Sequence, residues 1–501
     1  MQWVTSISDK FIIPLARKIT ENPRNTFVAL TCIALALRLS TFGDPNIHVD
    51  EDFYFYVGER MHHGALPYVD VWDRKPLGLF LIYYFIAGIS DSVIAYQVIA
   101  TLFAAATAMA INLIAKDWAG KQAGLFAAVV YLLMLAPLEG VGGQAPVFYN
   151  LFIAAAAWLL LRALPDLQQS RVVPAAFGAM ALGGLAITIK QTAVFEAAYF
   201  GGVAVVTLAR SPMPWPKTLR TAALFAVIGA MPTLLISAYY ALVGHWYEYW
   251  HAMVNSNLQK RYVYSGYFLP RITRLYLSLN PLMFMTIYAA MSGKLTEAKA
   301  GNSGFYIGWL VAAILAFLSV PNFYLHYALP MLVPLCITAS PALAMKRAGP
   351  AIFAFIAVFC LLVQNPVNFR HTNDSKQSMF LMTQAILHHG GDRGLFVFDG
   401  PILLYSMTGN IASSPLAFPP HLLEIGENNT SHFGTREEVE KILEHRPGVV
   451  VMSSVSRTLL VNKETNQLTK SYVRQNCDLI GNYVWNQYYY RRLLSVYGNC
   501  R

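Results

Sequence analysis

Seven carboxylates crowd the stretch from Asp44 to Asp73, in a chain of 501 residues of which only 13% are charged. Asp50, Glu51 and Asp52 stand together ahead of "FYFYVGERM", and "PYVDVWDRKPLG" follows with Asp73, Arg74 and Lys75 in a row. Carboxylates take up protons and fixed cations hold anions. The stretch could therefore hold a base and an anion-binding group at once. Pro76 biases Lys75 towards extended backbone, which presents the charged run as a loop. A purely structural reading competes for the first three acids: an Asp cap followed by acids in a first helical turn complements the positive end of the helix dipole. It leaves the run from Asp73 to Lys75 unexplained.

The elements that must position these residues are membrane helices. With 56% hydrophobic residues and a mean hydropathy of +0.43, the chain lies far from soluble composition, where roughly 25% of residues are charged. Apolar runs that suit a ~30 Å hydrocarbon layer are expected near 27–42, 92–115, 123–138, 147–164, 172–189, 193–209, 221–243, 280–293, 305–320, 326–345 and 351–367. "LGLFLIYYFIAGI", from Leu77, is too short to span and reads as a helix lying at or dipping into the interface. Lysine and arginine collect in alternate connections: Lys10, Arg17, Lys18 and Arg24; Lys116 and Lys121; Arg162 and Arg171; Arg210, Lys217 and Arg220; Lys294 and Lys299; Lys346 and Arg347. These loops belong to the cytoplasm, which puts the acidic stretch and the carboxyl terminus outside. The same distribution accounts for the net charge of +10 as insertion topology, so nucleic acid is not expected as a partner.

Around this core lie an interfacial helix within 1–26, with "ISDKFIIPLARKI" facing membrane lipids, and an extracytoplasmic tail from 368 to 501. In the tail "GLFVFDG" and "PGVVVMSS" read as strands and "TREEVEKILEH" as the helix between them, a small α/β domain. Cys32, Cys336 and Cys360 fall within spans as packing residues, and an oxidising compartment would let Cys477 and Cys500 pair. No internal repeat, glycine-rich phosphate loop or metal-spaced Cys/His cluster occurs in the tail.

The order "VDEDFYFYVGERMHHGALPYVDVWDRKPLGLFLIYY", then "IKQTAVF" from Ile189 and "YLHYALPMLVPL" from Tyr324, resembles bacterial GT-C membrane glycosyltransferases, the group related to protein O-mannosyltransferases and lipid A aminoarabinose transferases. The resemblance covers residues 27–345 in order. It implies a polytopic helical membrane domain, 27–367, with a catalytic first outer loop at 43–91, a second outer loop at 244–279 and an outward-facing tail. It also implies a sugar donor carried on a polyprenyl phosphate and an acid in the first outer loop as base. By this resemblance Asp50 is the base, with Glu51 its neighbour, and Lys75 of the Lys-Pro pair binds the donor phosphate. Lys190, at the outer end of the fifth span, and His326 with Tyr327, at the start of the tenth, would complete the phosphate site, with Arg60 and Arg74 as further cations. Against these stand snorkelling for Lys190 and a satisfied interfacial histidine for His326.

The acceptor would be a hydroxyl of a glycolipid, polysaccharide or protein. His245, Glu248 and His251 in "HWYEYWH" sweep across a helix instead of converging, and an interfacial aromatic belt explains the segment better than metal ligands. Some relatives hold a metal through an acid just before the lysine. Here that position is Arg74, and no metal or other cofactor is predicted. Two other classes remain in view: a flippase or transporter of lipid-linked sugars, which should show repeated halves and mid-membrane ionisable groups, and a non-catalytic glycan-binding scaffold. The topology makes a direct prediction: Gly64→Cys and Gly434→Cys label with an impermeant thiol reagent in intact cells, and protection at both sites overturns it.

Overall fold

The structure is a computed structural model that describes residues 16, 18–260, 268–293, 302–346, 348–453 and 460–501. The expected interfacial helix within 1–26 lies largely outside the described residues, as do Lys294, Lys299 and Arg347. Two compact units emerge: one from Met1–Leu39, Val98–Leu235 and Tyr267–Val367, the other from Ser40–Gln97, Ile236–Gly266 and Asn368–Arg501.

The first unit is helical. Its apolar runs form the helices Pro23–Arg38, Val93–Ala119, Lys121–Met134, Ala145–Gln168, Pro174–Ile189, Val194–Ala209, Trp215–Leu242, Phe268–Met291, Ser303–Leu318, Leu329–Leu343 and Ala348–Gln364, a polytopic membrane fold. Among the described residues six helical stretches are long and apolar enough to cross a membrane. Lys121–Met134, Pro174–Ile189 and Ser303–Leu318 are shorter than that, and a helix of ~16 residues covers only ~24 Å. Phe268–Met291 starts well before the expected span at 280, which shortens the second outer loop. At the centre runs Leu329–Leu343, every residue of it buried. It packs on Lys121–Met134, Phe268–Met291, Ser303–Leu318 and Ala348–Gln364, and Thr338 bonds Thr286 at 3.0 Å. Buried Glu196 accepts from Trp309 Nε1 at 2.6 Å, which satisfies one oxygen of an acid that apolar surroundings would otherwise penalise.

The second unit joins the acidic segment, Ser40–Gln97, to Ile236–Gly266 and the tail. The sheet has the order β1-β2-β4-β3. In it β1 (Leu395–Val397) lies parallel to β2 (Val449–Ser453), and β3 (Asp478–Asn486) and β4 (Arg491–Gly498) form an antiparallel hairpin. β1, β2 and the helix Thr435–Glu444 were legible from pattern. The hairpin was not, since its turn at "QYYY" has no glycine and its strands expose Leu479, Val484 and Leu493 while burying Asn486 and Ser495, which blurs the alternation. The amphipathic helix Phe369–His388 covers β3, and a disulfide joins Cys477 to Cys500. Trp72 of the first loop sits in the tail's own core with Phe396, Phe398, Leu416, Leu422 and Val450.

The acidic segment forms the helix Val49–His62, packed along Leu77–Ala87. Its cap is His48, whose Nδ1 accepts from the Asp50 backbone at 3.2 Å, so the acids occupy the first turn and none of them is the cap. Gly58 lets the two backbones meet: a Cβ there would lie 2.6 Å from the Tyr83 carbonyl oxygen. Alanine should improve helix propensity by about 1 kcal/mol, yet Gly58→Ala is expected to destabilise by about 1–3 kcal/mol through this clash. Thermal unfolding of purified protein in detergent measures the net sign.

Candidate active site

The first turn of Val49–His62 sorts its acids by burial. Glu51 and Asp52 are 0% and 1% exposed, whereas Asp50 is half-buried. Burial, with the neighbouring charges of Glu51, Asp44 and Asp50, pushes the Asp52 carboxyl well up, against a 3.3 Å hydrogen bond from Tyr96. Asp44 is pushed up to about 6 by the same desolvation, despite accepting from Ser375 and Asn46. Of the Asp50–Glu51 pair, then, Asp50 is the one that keeps solvent access.

Lys75 comes to the same helix. Its Nζ lies 5.3 Å from the centre of the Tyr54 ring, and Tyr54 is one turn from Asp50 on a shared face. The loop holds the lysine by its backbone: its N–H donates to Asp73 Oδ1 at 2.8 Å, and its carbonyl accepts from Tyr68 at 2.9 Å. Asp73 Oδ1 also stands 4.0 Å from Lys75 Nζ. Arg60 is not part of this cluster, since it lies in the last turn of the helix, about 15 Å along the axis from Asp50.

Arg74 turns away from Lys75 and into the tail. Its guanidinium forks onto Glu427, with Nη1 donating to Oε1 at 3.1 Å and Nη2 bonding Oε2, and it donates to Thr430 at 3.0 Å. Lys260 meets the same carboxylate at 2.8 Å. Burial opposes the charge on Glu427, but Lys260 and Arg74 outweigh it and hold the carboxyl far below its ordinary range. Burial lowers Lys260, with Glu427 pulling the other way. Glu427 is thus held between two cations, its oxygens committed to Arg74 and Lys260. Asp73 was singled out in the sequence, but Glu427 and Lys260 were not: Lys260 stands beside Arg261 and Glu427 follows Glu424, and nothing in their local spacing marks either one.

The segment after Trp215–Leu242 divides its aromatics. Tyr240 and Tyr249 stack at 4.9 Å and pack on Tyr68, and Tyr240 donates to the Pro67 carbonyl at 3.1 Å. Trp246, Tyr247 and Trp250 stay exposed, as a belt requires. His245 Nδ1 stands 3.6 Å from Glu248, and the His251 ring lies against His432 at 5.8 Å. Burial lowers both His251 and His432.

The remaining expected residues belong to the helical unit. Lys190 caps Pro174–Ile189 and places Nζ 4.2 Å from the Tyr327 ring centre. His326, in the turn Leu325–Ala328, meets Glu139 at 3.2 Å and stacks on Tyr324. Arg271 lies over the other partner of that stack, 4.2 Å from the Tyr324 ring. The structure thus groups Lys190, His326 and Tyr327 with Glu139 and Arg271, two residues that sequence reasoning did not select.

No family model matches the chain, and no curated protein matches it either. Among solved structures it is similar to ArnT from Cupriavidus metallidurans, at 14% identity over 94% of this chain and 97% of that one. The TM-score is 0.59 against the apo state and 0.60 against the form bound to undecaprenyl phosphate. It is also similar to the apo oligosaccharyltransferase of Archaeoglobus fulgidus, at 12% identity over 86% of this chain and 69% of that one, with a TM-score of 0.50. The likeness is one of fold, the GT-C arrangement of membrane helices with a small α/β tail.

The buried triad makes a stability prediction. Glu427→Ala leaves two buried cations without their carboxylate and should cost about 3–5 kcal/mol, read as a lower unfolding temperature. A depressed carboxyl stabilises fully above its ordinary value of 4.5 and loses that contribution only as pH falls towards the folded value. Wild-type and Glu427→Ala proteins should therefore keep their difference from pH 8 down to about 4.5 and converge below it.

Proposed function

We propose that this chain, a polytopic protein of GT-C fold, is a membrane glycosyltransferase that moves a sugar from a polyprenyl phosphate to an acceptor hydroxyl. The reaction takes place at the outer face of the cytoplasmic membrane, with the amino terminus inside and the tail outside. The observation that carries the reading is the pairing of one accessible acid with one cation on the same helix face: Asp50 half-buried beside the fully buried Glu51, and Lys75 over Tyr54. Similarity of fold to a protein that binds undecaprenyl phosphate supports the donor class.

The leaving group needs no general acid, because a phosphate monoester has a second pKa of about 6. Asp50 takes the proton of the acceptor hydroxyl. The freed oxygen pair attacks the anomeric carbon from the face opposite the phosphate, and the carbon–oxygen bond to phosphate breaks with its electrons passing to the phosphate oxygen. Configuration inverts. Lys75 faces the phosphate as its charge grows, where an ammonium in a partly dry site stabilises the transition state. Arg74, committed to Glu427, serves as an anchor for the loop. The acceptor is a glycolipid, a polysaccharide or a protein.

Purified protein in lipid, incubated with a panel of polyprenyl-phosphate sugars, should release the lipid phosphate. A transporter would move the lipid without cleaving it, and absence of release with every sugar and acceptor tried overturns the enzymatic reading. Asp50→Asn should lower transfer by about 10²–10⁴-fold with donor affinity near normal. Glu51→Gln should cost less. An active Asp50→Asn beside a dead Glu51→Gln would move the base by one residue.

A further inference from the structure

We infer that Asp73 and His421 form a positioning pair for Lys75, a role that rests on the proposed binding of the donor phosphate by that lysine. Asp73 is 2% exposed, and its two oxygens face different partners. Oδ1 accepts the Lys75 backbone N–H at 2.8 Å and stands 4.0 Å from Lys75 Nζ. Oδ2 stands 3.5 Å from His421 Nε2. At 4.0 Å the ammonium is steered by charge without a hydrogen bond of normal length to the carboxylate, so its donors can turn to a phosphate.

His421 is suited to hold Asp73 without neutralising it. The ring is buried in the short helix Pro419–Leu423, between Trp72 at 4.7 Å, Phe418 at 5.3 Å and Phe53 at 6.3 Å. The charged groups that face it are Asp73, Glu427, Arg74 and Lys75. Burial dominates over the two acids and holds the imidazole down to about 4. A neutral ring with its proton on Nε2 can donate towards Asp73 and leave the full carboxylate charge directed at Lys75. A protonated ring would compete with the lysine for that charge. The aromatic cage fixes the ring, the ring fixes the carboxylate, and the carboxylate sets both the backbone and the ammonium of Lys75.

A merely structural role for the pair would lower stability without acting through the lysine. The test is the affinity of purified full-length protein in nanodiscs for undecaprenyl phosphate at pH 7.5, measured by titration, with thermal unfolding recorded for each variant. His421→Leu should weaken binding by about tenfold or more, and His421→Gln, whose amide nitrogen reaches where Nε2 does, should stay within about threefold of wild type. In a Lys75→Ala background, His421→Leu should cause no further loss, because the residue acts through the missing ammonium. If His421→Leu does not fold, Asp73→Asn, which keeps the shape and removes the charge, should show the same non-additivity. Wild-type affinity in His421→Leu alongside a weakened Lys75→Ala overturns the pair and leaves Lys75 in place; so do losses that simply add. Wild-type affinity in Lys75→Ala overturns the pair and the role of the lysine together.

Discussion

Glu427 receives Arg74 from the loop after Val49–His62 and Lys260 from the segment after Trp215–Leu242, a carboxylate at 9% side-chain exposure between two cations that are also largely enclosed. Taking three charges out of water costs several kcal/mol for each ion, and only their mutual attraction with well-made hydrogen bonds offsets it. Such a cluster adds little net stability compared with apolar packing, but it tolerates few alternatives. Any arrangement that parts one member leaves a buried charge unpaired. It thereby fixes the register of the loop that carries Asp73, Arg74 and Lys75, since a shift of one residue would bring Lys75 or Asp73 to the tail carboxylate instead.

That register decides what the neighbours of Arg74 can do. Arg74 and Lys75 lie in a bend closed by the Lys75 N–H to Asp73 Oδ1 bond, so while Arg74 is committed to the tail, Lys75 turns to the acidic helix and the Tyr54 ring. One cation is committed to architecture, and the next stands beside the acidic helix. The acids follow a similar division. Glu51 and Asp52 are enclosed, with burial raising Asp52, while Asp50 keeps access one turn before Tyr54, over whose ring Lys75 sits. Three adjacent carboxylates thus have unlike environments because a helix turns each residue by about 100°.

The helical unit meets a different constraint. With no water available in a bilayer core, polar groups must find partners within the protein, and the fully buried Leu329–Leu343 does so through Thr338 with Thr286 and through its Leu329 carbonyl with Asn150 at 3.1 Å. Its amino-terminal end opens from the turn that holds His326 and Tyr327, so the cluster of Lys190, Glu139 and Arg271 sits where a buried helix begins. Charged and aromatic side chains gather there and are sparse along the helix itself, as the cost of burying charge in hydrocarbon requires.

The sequence by itself determined what depends on local periodicity and composition: the membrane class, the positions of most apolar helices, the short helix after Lys75, and the strands "LFV" and "VVVMS". Hydropathy and turn signals are read within a few residues of one another, so one chain suffices. Tertiary structure alone decided which acid stays open and which cations are spent. It also placed His48 as the helix cap, joined Cys477 to Cys500, and paired Tyr240 and Tyr249 with Tyr68. Arg74 and Glu427 are 353 positions apart, and nothing in the spacing of either residue encodes the other. Their meeting is a consequence of burial, because a carboxylate withdrawn from water must find its cations wherever the fold brings them.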